Sequence, residues 1–137
     1  GIPQLARLKD INTARQTNAA TLRSGLLDLP GLQVPPEPES HRTHVYHQFT
    51  VRITPECRVT RDQFVEQVTA LGVGCGVYYP KLVHDYDCYR AHPGVIVADT
   101  PNAARAAAQV ASLPVHPFLT DTDLERIVDV VRQVVAA

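Results

Sequence analysis

The sequence has no methionine, no tryptophan and only three cysteines in 137 residues. Cys57, Cys75 and Cys88 are odd in number and lack framework spacing. That excludes a disulfide-stapled scaffold, and the three read as free thiols in a reducing cytoplasm. No Cys-x-x-Cys pair and no His-Glu-x-x-His occurs, so the close ligand pairs of a structural zinc site are missing. Excess charge of either sign is absent too. A net charge of −1 removes the electrostatic drive toward nucleic acid or an anionic membrane. No apolar run nears the ~18 residues that suggest a membrane span, and no signal-peptide pattern opens the chain. Gly72-Val73-Gly74-Cys75-Gly76 lacks both the dinucleotide and the Walker spacing and reads as a helix stop followed by a strand entry. Ser24, Ser40 and Ser112 sit in no nucleophile-elbow pattern. The missing methionine, with Gly1-Ile2-Pro3-Gln4 running almost at once into a strong helix, reads as a cut within a longer chain.

What is present fits an ordinary globular chain: 45% hydrophobic and 20% charged residues, enough for one core. Leu5, Leu8, Ile11, Arg15, Ala19, Leu22 and Leu26 recur at helical spacing and predict a long helix from about Pro3 to Leu27. Leu29-Pro30-Gly31 ends it, and Val34-Pro35-Pro36-Glu37-Pro38 runs extended. His44 to Ile53 alternates, with Val45, His47, Phe49, Val51 and Ile53 on one face of a half-buried strand. Thr60 with Gln63 predicts a capping box on a helix that turns Phe64, Val65, Val68 and Leu71 inward and closes at Gly72. A second strand is expected over Val73–Tyr79, a loop with a short helical turn over Lys81–Gly94, and a helix capped by Thr100 with Pro101 first. A third strand over Ala111–Val115 precedes a helix capped by Thr120 and Asp123, with Leu124, Ile127, Val128, Val131 and Val135 as its stripe. The expected class is α+β: a small three-stranded, mainly antiparallel sheet with helices on one face. Residues 1–29 form a long inter-domain helix in this reading, and residues 30–137 a small domain.

The chemistry-bearing residues form no self-sufficient active site. His84, Cys88 and His92 follow at four-residue intervals, but Pro93 disfavours the helix that would align them. No metal site is expected. A cysteine nucleophile needs a base beside it. Cys88 has only His84 and Arg90 near it in sequence, and reads first as a packing residue. His47 stands mid-strand on an apolar face, either as a satisfied core histidine or as a contact group.

An ordered set of segments carries more information. HVYHQFTVR at residues 44–52, Arg61-Asp62, GVGCGVYYPKLVH at residues 72–84, SLPVHP at residues 112–117 and the final helix resemble the sugar aminotransferases of the DegT/DnrJ/StrS family. Gly1 with Gln4-Leu5 resembles the segment after that family's Gly-x-x-Gln-Leu motif, so the likeness covers essentially the whole chain. One departure is Ala104, where the family commonly carries an acidic residue.

The resemblance implies the C-terminal domain of a type I pyridoxal phosphate (PLP) enzyme, closing the substrate cleft of a homodimer. The missing large domain would hold the cofactor and its lysine. This chain has only Lys9 and Lys81, neither in the family's lysine position, so no catalytic residue is assigned and the fragment alone is expected to be inactive and not to bind PLP. The implied reaction moves an amino group from an amino acid, glutamate, to a nucleotide-linked keto-sugar in the cytoplasm. His84, Tyr79 and His47 are the expected cofactor or substrate contacts, with fold support as the competing role for each histidine. A non-catalytic remnant or lysine-less homologue acting as a binding module is the alternative, and a free-standing ligand-binding domain is the third.

Overall fold

The computed structural model describes residues 1–136. In chain order the helices are α1 (Ile2–Ala6), α2 (Leu8–Leu26), α3 (Arg61–Ala70), α4 (Asp87–Arg90), α5 (Pro101–Gln109) and α6 (Asp121–Ala136). The strands are β1 (Leu32–Gln33), β2 (Phe49–Ile53) and β3 (Val110–Leu113), and a 3-10 turn occupies Val83–Asp85. The sheet runs β1-β2-β3 with both pairings antiparallel. The α+β class and the three-stranded antiparallel sheet with helices on one face are thus present.

The core follows from pairing register. Phe49 faces Leu113 and Val51 faces Ala111, so these four share one side of the sheet, and all are buried. Against them pack Leu22 and Leu26 of α2, Phe64 and Val68 of α3, and Leu124, Ile127 and Val131 of α6. Full burial of each large side chain contributes roughly 1.5–3 kcal/mol relative to exposure. On the other side of the sheet Thr50 and Ser112 face each other and share a 3.0 Å hydroxyl–hydroxyl hydrogen bond.

The ends of α3 and the start of α6 form as their residues dictate, whereas Thr100 precedes α5 without making a side-chain cap bond. The Thr60 hydroxyl accepts from the Gln63 N–H while the Thr60 N–H donates to the Gln63 side chain at 2.9 Å. Gly72, at φ 85°, closes α3: its N–H donates to the Thr69 carbonyl and the Val73 N–H to the Val68 carbonyl, satisfying two terminal carbonyls. Thr120 and Asp123 cap α6 reciprocally. Helix α2 meets α6 closely at Gly25, where a Cβ would lie 2.7 Å from a Val128 methyl. Arg132 secures this crossing by donating to the Gly25 carbonyl at 2.8 Å and to the Asp28 carboxylate at 2.5 Å.

Three further expectations need correction. The first long helix is two helices, interrupted at Arg7; α1 has no buried residue, so no packing holds it in line with α2. Val73–Tyr79 is not a strand. It makes one bridge, Gly76 to Ser112, because Gly72, Gly74 and Gly76 fall on one face and leave it nothing to pack. Its place in the sheet is taken by β1, two residues long, which no alternating pattern announces, while the strand expected over Ala111–Val115 is present as β3. Finally, the strand expected from His44 begins only at Phe49, because Tyr46 adopts φ 44° and the chain bends at His47. The bend reverses the expected alternation: Tyr46 is buried, and Val45 and His47 are exposed.

Candidate functional site

The bend at His47 borders a surface groove. It occupies about 640 Å³ and is lined by Arg15 of α2, by His47 and Gln48, by Cys75 and Tyr79, and by residues 112–116. Two of the sequence candidates, His47 and Tyr79, therefore meet in one groove, and both are exposed to it. The single bridge between Gly76 and Ser112 closes its floor, with Gly76 N–H to Ser112 carbonyl at 3.0 Å and the reverse bond at 2.7 Å. The Tyr78 ring lies over Gly76, 2.5 Å from where a Cβ would sit, so a side chain at residue 76 would displace the exposed ring.

His84 stands elsewhere. It lines a smaller recess of about 210 Å³ at the start of α5, with Asp99, Thr100 and Ala104. Its Nε2 lies 3.9 Å from Asp85. The structure thus separates His84 from the His47–Tyr79 pair. Ala104 lines this same recess and offers the imidazole no partner.

Arg15 also lines the groove of His47 and Tyr79, although no sequence motif singles it out. Its signal in the sequence is a charge within the mostly apolar stripe of α2. Its Nη1 donates to the Tyr46 carbonyl at 2.8 Å and to the His47 carbonyl at 3.1 Å. Nearby, the buried Asn18 amide donates to the His116 carbonyl at 2.8 Å, so α2 anchors both walls of the groove. Cys75 adds no nucleophile. Burial pushes its thiol up to about 11, against a smaller opposing pull from Arg61, so it is neutral near pH 7.

A further recess of about 570 Å³ lies between α2 and residues 37–46. Its Arg23 already donates to the Pro35 carbonyl and pairs with Glu37 at 3.4 Å, so that cation is engaged within the fold. Among the described residues no group of three or more His, Cys, Asp or Glu side chains gathers to hold a metal. Among the same residues no helix is long and apolar enough to cross a membrane.

A PLP site needs a lysine amine at the reacting carbon and partners for the ring and phosphate. Lys9 and Lys81 are both exposed, Lys81 with its Nζ 6.0 Å from the Tyr86 ring centre, and neither lines the groove. The residues of this chain do not by themselves fit that cofactor.

Comparison with known proteins adds the context. The model of the DegT/DnrJ/EryC1/StrS aminotransferase family matches residues 1–132. Among solved structures, the aminotransferase TlmJ from Streptoalloteichus hindustanus is 29% identical, with a TM-score of 0.86 over 99% of this chain and 35% of its own. DesV from S. venezuelae, solved in complex with a ketimine intermediate, is 32% identical, with a TM-score of 0.80 over 95% of this chain and 33% of its own. DesI, solved in the presence of its TDP-sugar product, is 29% identical, with a TM-score of 0.86 over 97% of this chain and 33% of its own. The chain spans about a third of the length of these structures.

Proposed function

Because the chain belongs to the DegT/DnrJ/EryC1/StrS aminotransferase family, we propose that it is the C-terminal, cleft-closing part of a PLP-dependent aminotransferase acting on a nucleotide-linked keto-sugar. Family membership over residues 1–132, together with a chain a third as long as its structural relatives, carries this reading. PLP, when bound, supplies the electron sink for amino-group transfer. A large domain holds it and its lysine, since neither Lys9 nor Lys81 reaches the groove. The whole protein works as a cytoplasmic homodimer, with glutamate as the amino donor and residues 1–29 linking the two domains. The product named for DesI supports a nucleotide-sugar substrate.

Within that assembly this chain's residues bind and exclude water. His47 and Tyr79 line the same groove, and each offers a polar tip on a flat ring, suited to the hydroxyl- and phosphate-bearing faces of such a substrate. His84, in its separate recess, contacts the cofactor or substrate from the other side of the α5 start.

The test uses the whole protein. Incubated with PLP, it should develop a cofactor absorbance that glutamate bleaches and a nucleotide-linked keto-sugar restores. Absence of any spectral response across amino donors would sink the enzymatic reading. The isolated chain, given PLP in the same way, should show only the spectrum of free cofactor.

A further inference from the structure

We propose that Arg15 is a positioning residue for the His47 wall of the groove: its guanidinium holds the backbone bend that turns the imidazole out of the core and into the cleft. The proposal that His47 meets the substrate comes from the functional reading above; the positioning itself rests on geometry alone.

In a regular strand successive carbonyls point to opposite sides. The carbonyls of Tyr46 and His47 nevertheless converge on one nitrogen, Arg15 Nη1, at 2.8 and 3.1 Å. This convergence is possible only where the chain bends, and the bend sits at His47. The preceding residue, Tyr46, has φ 44° and is the sole non-glycine residue with positive φ among those described. Left-handed backbone is unfavourable for a residue with a Cβ, so something must hold it. Three contacts do. The Tyr46 N–H donates to His44 Nδ1 at 2.9 Å. The Tyr46 ring packs near His44 and Phe49, with centroid distances of 4.2 and 6.4 Å. Arg15 supplies the third, from α2, and it alone grips the Tyr46 and His47 carbonyls, while its neighbour Gln16 donates to the His44 carbonyl at 3.0 Å. Without it the segment can relax toward the extended strand that its alternation encodes, and His47 then swings to the inward face. A planar guanidinium suits this role better than an ammonium, because its donors are held rigidly.

The experiment has two arms. In the folded chain, R15Q keeps the stem and removes the charge, and R15K keeps a charged donor on a different geometry. We expect R15Q to shift the His47 ring resonances and to lower Tyr46 amide protection against hydrogen exchange by at least about tenfold, while α6 amides stay protected. R15K should restore part of both. Unchanged His47 and Tyr46 signals in folded R15Q, or an equal loss of protection throughout α6, would overturn the proposal. In the whole protein, R15Q and H47Q should each lower kcat/KM for the keto-sugar, by up to about 100-fold. The double variant should be no worse than the more affected single one. An unaffected H47Q removes the substrate-contact reading and leaves the first arm to decide the positioning.

Discussion

Arg61 offers a direct test of what holds the sheet to its helices. Its side chain is only 8% exposed, yet it is charged. Nη1 donates to the Ala107 carbonyl at 2.9 Å and to the Val110 carbonyl at 3.2 Å, and Nε donates to the Asp62 carboxylate at 2.6 Å. Asp62 is largely exposed, so its pairing is worth about 0–1 kcal/mol. The two carbonyls matter more, because a hydrogen bond from a charged donor contributes about 1.5–3 kcal/mol, and losing it leaves the acceptors without a partner. Taking both together, we expect R61A to cost roughly 3 kcal/mol. Unfolding entropy of about 2.1 cal/mol/K per residue gives about 0.29 kcal/mol/K for this chain length, so the melting temperature should fall by about 10 °C. Thermal unfolding followed by circular dichroism reads this, and R61K should fall between R61A and the parent. A drop below about 3 °C for R61A would mean that Arg61 is no more than a surface ion pair, and the reasoning about the two carbonyls would be wrong.

Three further predictions concern other sites. Gly31 has φ 75°, and a Cβ there would lie 2.2 Å from the Cys57 backbone nitrogen; G31A should therefore cost more than the ~1–2 kcal/mol of left-handed strain alone, read by urea unfolding, and a neutral G31A would contradict the close approach. Thr120 holds the Asp123 carboxyl below the usual carboxylate range through its N–H and hydroxyl, and Arg132 does the same for Asp28. These groups contribute stability that is present above the unfolded carboxylate range, about pH 4, and lost as pH falls through their lower folded values. D123N and D28N should each flatten the acid limb of the stability profile, and an unchanged slope in both would refute the assignment. Thiol reagents at pH 7.5 should modify the exposed Cys88 well before Cys75, whose thiol burial pushes up to about 11; mass spectrometry of the first adduct decides, and labelling of Cys75 first would contradict its burial.

The helices were legible because local chemistry marks their ends. Thr60 with Gln63, Thr120 with Asp123, Pro101 at the start of α5 and Gly72 past α3 each bond or bend within a few residues of themselves. The strands were less legible, because their limits depend on distant partners. Nothing near Leu32 says that it will face Ile53, twenty-one positions on. At His47 the alternation was real, but an arginine thirty-two residues earlier overrode it. The groove itself shared this fate. Nothing in the sequence groups Tyr79 with His47 rather than with His84, and only the fold puts the first two in one groove and His84 in another recess.

Helix α5 ends at Gln109 and β3 begins at Val110, with no connecting loop. Arg61 grips a carbonyl on each side of that join. Loops are where chains elsewhere absorb insertions and deletions, and this join has none. One added residue inside β3 would exchange its two faces, turning Ala111 and Leu113 away from Val51 and Phe49. Across related sequences the spacing from Pro101 to Ser112 should consequently be invariant in length even where the alanines between them change.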